Sequence, residues 1–105
     1  DKQKRPEMGA VAERYADLVI VTSDNPRYED PAQIIAEIRE GIRGEGAVIE
    51  PDRELAIFKA LELARPSDVL LIAGKGHEEY QLVQGERLPF QDRQVVLDIL
   101  EEGRP

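Results

Sequence analysis

The stretch Leu18-Val19-Ile20-Val21-Thr22-Ser23-Asp24-Asn25-Pro26-Arg27 decides the fold. Four apolar residues in a row, three of them β-branched at Val19, Ile20 and Val21, predict a buried strand. The polar residues that follow predict a loop at its carboxyl end, which is where open α/β sheets bind ligands. Arg27 brings to that loop a planar fork of donors suited to a carboxylate. The same design recurs at Val69-Leu70-Leu71-Ile72-Ala73, which runs into Gly74-Lys75-Gly76-His77-Glu78. Two strand ends thus carry an arginine, acids, amides and glycines toward one rim.

Working outward, Pro6 marks the first position of a helix whose residues Met8, Val11, Ala12 and Tyr15 follow at helical spacing. The first strand is expected over 18–22. Asp30-Pro31 reads as an N-cap and a proline at the first helical position. Ile34, Ile35, Ile38 and Ile42 then form one apolar stripe, and glycines 41, 44 and 46 are expected to end that helix. A short strand is expected over 47–50. Asp52 caps a helix carrying Leu55, Phe58, Ala60, Leu61 and Ala64, which Arg65-Pro66-Ser67-Asp68 breaks. The run 69–73 reads as a strand covered on both faces. Residues 80–83 and 87–88 flank Gln84-Gly85-Glu86 as a hairpin, and Asp92 caps a last helix with Val95, Val96, Ile99 and Leu100. Alternating strands and helices imply a Rossmann-like three-layer α/β domain over 1–105, with a mostly parallel sheet, right-handed crossovers and a carboxyl-terminal hairpin.

The chain has 105 residues, enough for one domain with a modest core. A net charge of −8 argues against nucleic acid, which requires basic density, and against an anionic membrane surface. No apolar run approaches the roughly 20 residues that span a bilayer. With no cysteine, disulfide and thiolate chemistry are excluded, and a single histidine argues against a transition-metal site. No secretory signal is visible, and a cytoplasmic location is expected. The first residue is Asp1 rather than Met, so the chain is expected to be a piece of a longer protein.

Each loop also has a plain local reading. Turn chemistry accounts for Asp24, Asn25 and Pro26, and leaves Arg27 as a solvated cation. Gly74 and Gly76 suit a tight strand-to-hairpin turn with positive φ. The second loop is not a phosphate-binding P-loop, because no Ser or Thr follows Lys75 and the leading glycine is absent. Nor is it a dinucleotide fingerprint, since Glu79 stands where a third glycine belongs. A structural role is expected for His77, and a solvated charge for Lys75.

Four motifs taken together point further. Lys4-Arg5-Pro6-Glu7-Met8-Gly9, Asp24-Asn25-Pro26-Arg27, Gly74-Lys75-Gly76-His77-Glu78 and Phe90-Gln91-Asp92-Arg93 occur in this order. The chain resembles, over nearly its whole length, the carboxyl-terminal domain of the Mur ligases. Among them it resembles the UDP-N-acetylmuramoyl-tripeptide synthetases that add meso-diaminopimelate. The resemblance implies an ATP- and magnesium-dependent amide ligase of peptidoglycan precursor synthesis. ATP phosphorylates the D-glutamate side-chain carboxylate of UDP-MurNAc-L-Ala-D-Glu, and an amine of meso-diaminopimelate attacks the acyl phosphate. It also implies that ATP, magnesium and the catalytic groups belong mainly to domains outside this chain, which is expected to be inactive alone and to hold no metal.

By the same resemblance, Asp24, Asn25, Pro26, Arg27, Gly74 and Glu78 bind the incoming amino acid. Arg27 holds the distal carboxylate, Gly74 offers backbone and Glu78 accepts from the adjacent ammonium. Lys2, Lys4 and Arg5 are candidates to face a phosphate. The family domain begins with a strand upstream of the first helix here, so one strand of the sheet is expected to be missing. Gln3 departs from the glycine usual in the family, and an arginine that the family carries just upstream of the Asp1 position lies outside this sequence. Two alternatives stay open: another ligase of the superfamily, of folyl or cyanophycin type, and a non-catalytic small-molecule-binding α/β module.

Overall fold

The computed structural model describes residues 4–23, 30–73, 80–83, 86–89 and 91–103. Along the chain these form α1 (Lys4–Tyr15), β1 (Ile20–Val21), α2 (Pro31–Arg39), β2 (Val48–Ile49), α3 (Arg53–Leu63), β3 (Tyr80–Val83), β4 (Glu86–Pro89) and α4 (Asp92–Glu102). β1 and β2 pair in parallel, Ile20 opposite Val48 and Val21 opposite Ile49. Val48 N–H donates to the Val19 carbonyl and Glu50 N–H to that of Val21, each at 2.9 Å. The connection between them runs through α2, so this is the β-α-β unit that the alternation predicts. β3 and β4 form the antiparallel hairpin, with Tyr80 opposite Pro89 and Val83 opposite Glu86. Both parallel strands are shorter than expected, because the ladder holds only where the two chains run side by side.

Two helix starts follow the sequence rules. Asp30 is extended, its carboxylate accepts from Ala32 N–H at 3.0 Å, and Pro31 supplies the first helical residue. Asp52 accepts from Leu55 N–H at 3.2 Å in the same manner. The third expectation fails. Gln91 occupies the cap position of α4 without a side-chain bond, and Asp92 lies within the first turn with its carboxylate turned elsewhere. Pro6 is likewise not at the helix start but at the third residue of α1. Its missing N–H still falls among the first-turn donors that have no intrahelical partner.

The apolar stripe expected on α1 does not face the core. Met8, Val11 and Tyr15 are 53 %, 57 % and 77 % exposed, while Gly9 is the buried residue. α1 packs on α2 through close backbone approach instead. A Cβ on Gly9 would run into the Ile38 carbonyl, and one on Gly41 into the Pro6 carbonyl, with Ala10 N at 3.0 Å. Gly41 follows the Glu40 cap of α2, as expected of a residue that ends the helix, and is also a contact residue; among the described glycines only Gly103 has positive φ. The Glu13 carboxylate reinforces this crossing by accepting from Arg43 N–H at 2.9 Å and Gly44 N–H at 2.6 Å. Those bonds, Arg43's foremost, hold its carboxyl below the usual glutamate range. Arg5 donates to Glu37 at 2.7 Å across the same pair of helices.

α3 and α4 pack together around Ile57, Val95 and Ile99, with Phe58, Leu61, Ile72 and Val96 against them. The inward face of α3 starts at Arg53, Ala56 and Ile57, one helical stripe. Leu55 and Leu100, expected inside, fall off these stripes and are exposed. The run 69–73 corrects the expectation most. Among the described residues it joins neither sheet. Ile72 reaches the core, but Val69 and Leu71 are 95 % and 84 % exposed. Ile72 alone of the segment packs on α3 and α4, and Leu70 is exposed with Val69 and Leu71, because no described strand runs beside the segment to form a ladder. No helix among the described residues is long and apolar enough to cross a membrane.

Candidate functional site

Asp24, Asn25, Pro26, Arg27, Gly74 and Glu78 all lie outside the described residues, as do Lys75 and His77. The stems that carry them are described, and one side chain joins those stems. Arg53 opens α3 and is 4 % exposed. Its Nη1 donates to the Ser23 carbonyl at 3.0 Å, and its Nη2 to the Ala73 carbonyl at 3.2 Å. Its Nε and Nη2 also donate to the two carboxylate oxygens of Asp92, both at 2.8 Å. This is the bidentate arginine–carboxylate geometry, with both partners buried.

Ser23 immediately precedes the first candidate loop and Ala73 the second. Two hydrogen bonds and the width of a guanidinium place their carbonyl oxygens no more than about 9 Å apart. The two loop stems therefore meet. Ser23 is itself buried, and its hydroxyl donates to the Pro51 carbonyl at 2.7 Å, drawing in the turn between β2 and α3. Four segments thus converge at the carboxyl end of the parallel strands: 21–23, 51–53, 72–73 and 91–92. Beside this cluster, Glu50 accepts from Lys59 Nζ at 2.6 Å and from Asp52 N–H at 3.1 Å. The Lys59 bond and then the backbone bond hold its carboxyl below the usual range.

Sequence reasoning missed Arg53. A signal was present, for a basic residue at the first position of a helix opposes the helix dipole and calls for a compensating acid. Asp92 is that acid, so it is a partner of Arg53 and not a cap. Arg5, a candidate phosphate ligand, is instead engaged with Glu37, and only a small part of its side chain is exposed. Lys4 is exposed, and Lys2 lies outside the described residues.

A family model described as "Mur ligase, glutamate ligase domain" matches residues 1–76. The chain belongs to the Mur ligase family. Two relatives of this Mur ligase domain carry the name UDP-N-acetylmuramoyl-L-alanyl-D-glutamate--2,6-diaminopimelate ligase. That of Aquifex aeolicus is 52 % identical over 101 residues, 95 % of this chain and 21 % of its own length. That of Chlorobium phaeobacteroides is 53 % identical over 102 residues, 97 % of this chain and 20 % of its own. A solved structure of a ligase of the same name superposes with a TM-score of 0.92 at 43 % identity, covering 98 % of this chain and 22 % of that one. The fold class is therefore the α/β class of the Mur ligases. The chain spans about a fifth of the length of the curated relatives it matches.

Proposed function

We propose that this Mur ligase domain is the amino-acid-accepting, carboxyl-terminal part of a cytoplasmic ATP-dependent ligase that adds meso-diaminopimelate to UDP-MurNAc-L-Ala-D-Glu. The observation that carries the reading is the gathering of both loop stems on one guanidinium. Loops rooted at Ser23 and Ala73 start as neighbours, so Arg27 and Glu78 can address the two charges at one end of a small ligand. The names of the relatives supply the chemistry of that ligand.

The free end of a diamino acid is a zwitterion. In this reading Arg27 pairs with its carboxylate, Glu78 accepts from its ammonium and Gly74 lends backbone close to it. Asp24, Asn25 and Pro26 shape the turn that presents Arg27. The opposite amine is thereby aimed at the activated D-glutamate carboxylate. ATP and magnesium supply that activation from parts of the ligase beyond this chain. Among the described residues no group of three or more His, Cys, Asp or Glu side chains stands together for a metal ion. Holding the nucleophile in line contributes up to roughly 7–11 kcal/mol of a barrier in favourable cases.

The test is Arg27→Ala in the full-length ligase. Loss of charge-assisted bonds, each contributing about 1.5–3 kcal/mol, is expected to raise KM for meso-diaminopimelate roughly tenfold to more than a hundredfold. Lysine, which lacks a distal carboxylate, is expected to be affected far less. Equal losses for both amino acids, or an unchanged KM for diaminopimelate, would refute the assignment.

A further inference from the structure

We infer that Arg53 is a positioning residue that sets the spacing of the two substrate loops and, through it, selectivity for the incoming amino acid. The inference rests on the ligase reading above.

The geometry is specific to a guanidinium. The Ser23 carbonyl belongs to the peptide unit that enters Asp24, and the Ala73 carbonyl to the unit that enters Gly74. Holding those two oxygens restrains the points from which both loops begin. Arg53 fixes both at once, from one planar group whose own orientation is locked by the Asp92 carboxylate. Four hydrogen bonds thus leave little freedom to the fork of five donors. Lysine keeps the charge and can meet Asp92, but a compact ammonium on a flexible stem cannot span two carbonyls in one plane.

The placement is costly, which argues that more than stability is at stake. The cation stands at the positive end of the α3 dipole and is 4 % exposed. Buried ion pairs of this kind are often no more stabilising than apolar residues of similar volume. What an apolar residue cannot supply is a donor to each loop root.

The experiment compares Arg53→Lys with Asp92→Asn in the full-length ligase, with KM measured separately for the amino acid, the UDP-dipeptide and ATP. Thermal unfolding of each variant is recorded alongside. Arg53→Lys removes the bridge between the loops. It is expected to raise KM for the amino acid of order tenfold to a hundredfold, the range of a small misplacement, and to leave the other two KM values within about twofold. Asp92→Asn keeps the guanidinium and its bonds to Ser23 and Ala73. It is expected to lower the melting temperature at least as much as Arg53→Lys while raising the amino acid's KM several-fold less.

If KM for the amino acid follows the melting temperature across the two variants, or all three KM values rise together, Arg53 is structural only and the inference is overturned. Should Arg53→Lys fail to fold, Asp92→Asn decides alone: a rise shared by all three KM values overturns the inference, and one confined to the amino acid upholds it. If the unaltered ligase does not accept diaminopimelate, the ligand assignment falls, and the same comparison is made with the amino acid it does accept.

Discussion

Replacing Gly41 by alanine adds one methyl group where the turn after α2 meets the backbone of α1. That methyl would overlap the Pro6 carbonyl oxygen, with the Pro6 carbonyl carbon at 2.6 Å and Ala10 N at 3.0 Å. All three are backbone atoms, so no side chain can swing aside and the helix itself must move. Overpacking of this sort costs about 1–3 kcal/mol. Restricting the unfolded chain offsets about 0.4–1 kcal/mol. The net expectation is a loss of about 1–2 kcal/mol, or roughly 5–15 °C in melting temperature for a domain of this size. Gly46→Ala is the control, since nothing lies within 4 Å of its added methyl and its φ is not positive. It is expected to be neutral or slightly stabilising. Urea titration of the chain followed by far-ultraviolet circular dichroism measures both variants. Gly9→Ala adds a further arm, as its methyl meets the Ile38 carbonyl on the other side of the same crossing. Once one methyl has parted the helices, the second should cost less, so the double variant is expected to fall short of the sum. Equal stability of the Gly41 and Gly46 variants would show that the helices do not meet at their backbones.

Ile99→Ala, in the α3–α4 core, is expected to cost about 2–5 kcal/mol, and Leu100→Ala, 66 % exposed, well under about 1 kcal/mol; similar losses at both positions would contradict the register of α4. Glu13 has a lowered carboxyl pKa in the folded chain, so its contribution is present above the ordinary value of 4.5 and lost as pH falls through the lowered one. Glu13→Gln is therefore expected to be less stable than the parent at neutral pH, with the gap narrowing as pH falls below 4.5, and a gap that stays constant into acid would deny the carboxylate's role in joining the helices.

Local rules carried two of the four helix starts. Asp30-Pro31 and Asp52 act within their own turns, so their neighbours in sequence suffice to read them. The hairpin was legible for the same reason. Elements whose state depends on a distant partner were not. The run 69–73 has the composition of a covered strand, yet coverage is a property of its neighbours, and Val69 and Leu71 stand open. Met8, Val11 and Tyr15 repeat at helical spacing on α1, but two glycines brought α2 to a different face. The loop motifs lie outside the described residues, and the junction beneath them was not legible. Nothing adjacent to Arg53 announces that its acceptors stand at positions 23, 73 and 92.

Those acceptors have a consequence for how the chain reaches its native form. They lie 30, 20 and 39 residues from Arg53 in sequence. Closing such loops is entropically slow compared with forming a helix, so the junction is set late. During synthesis the carbonyl partners emerge on either side of Arg53 well before its counter-charge does. Until Asp92 has left the ribosome, burying the guanidinium would strand an uncompensated cation, and the loop roots stay unlatched. The order of residues along the chain thus makes completion of α4's first turn the step that commits both loops to their places.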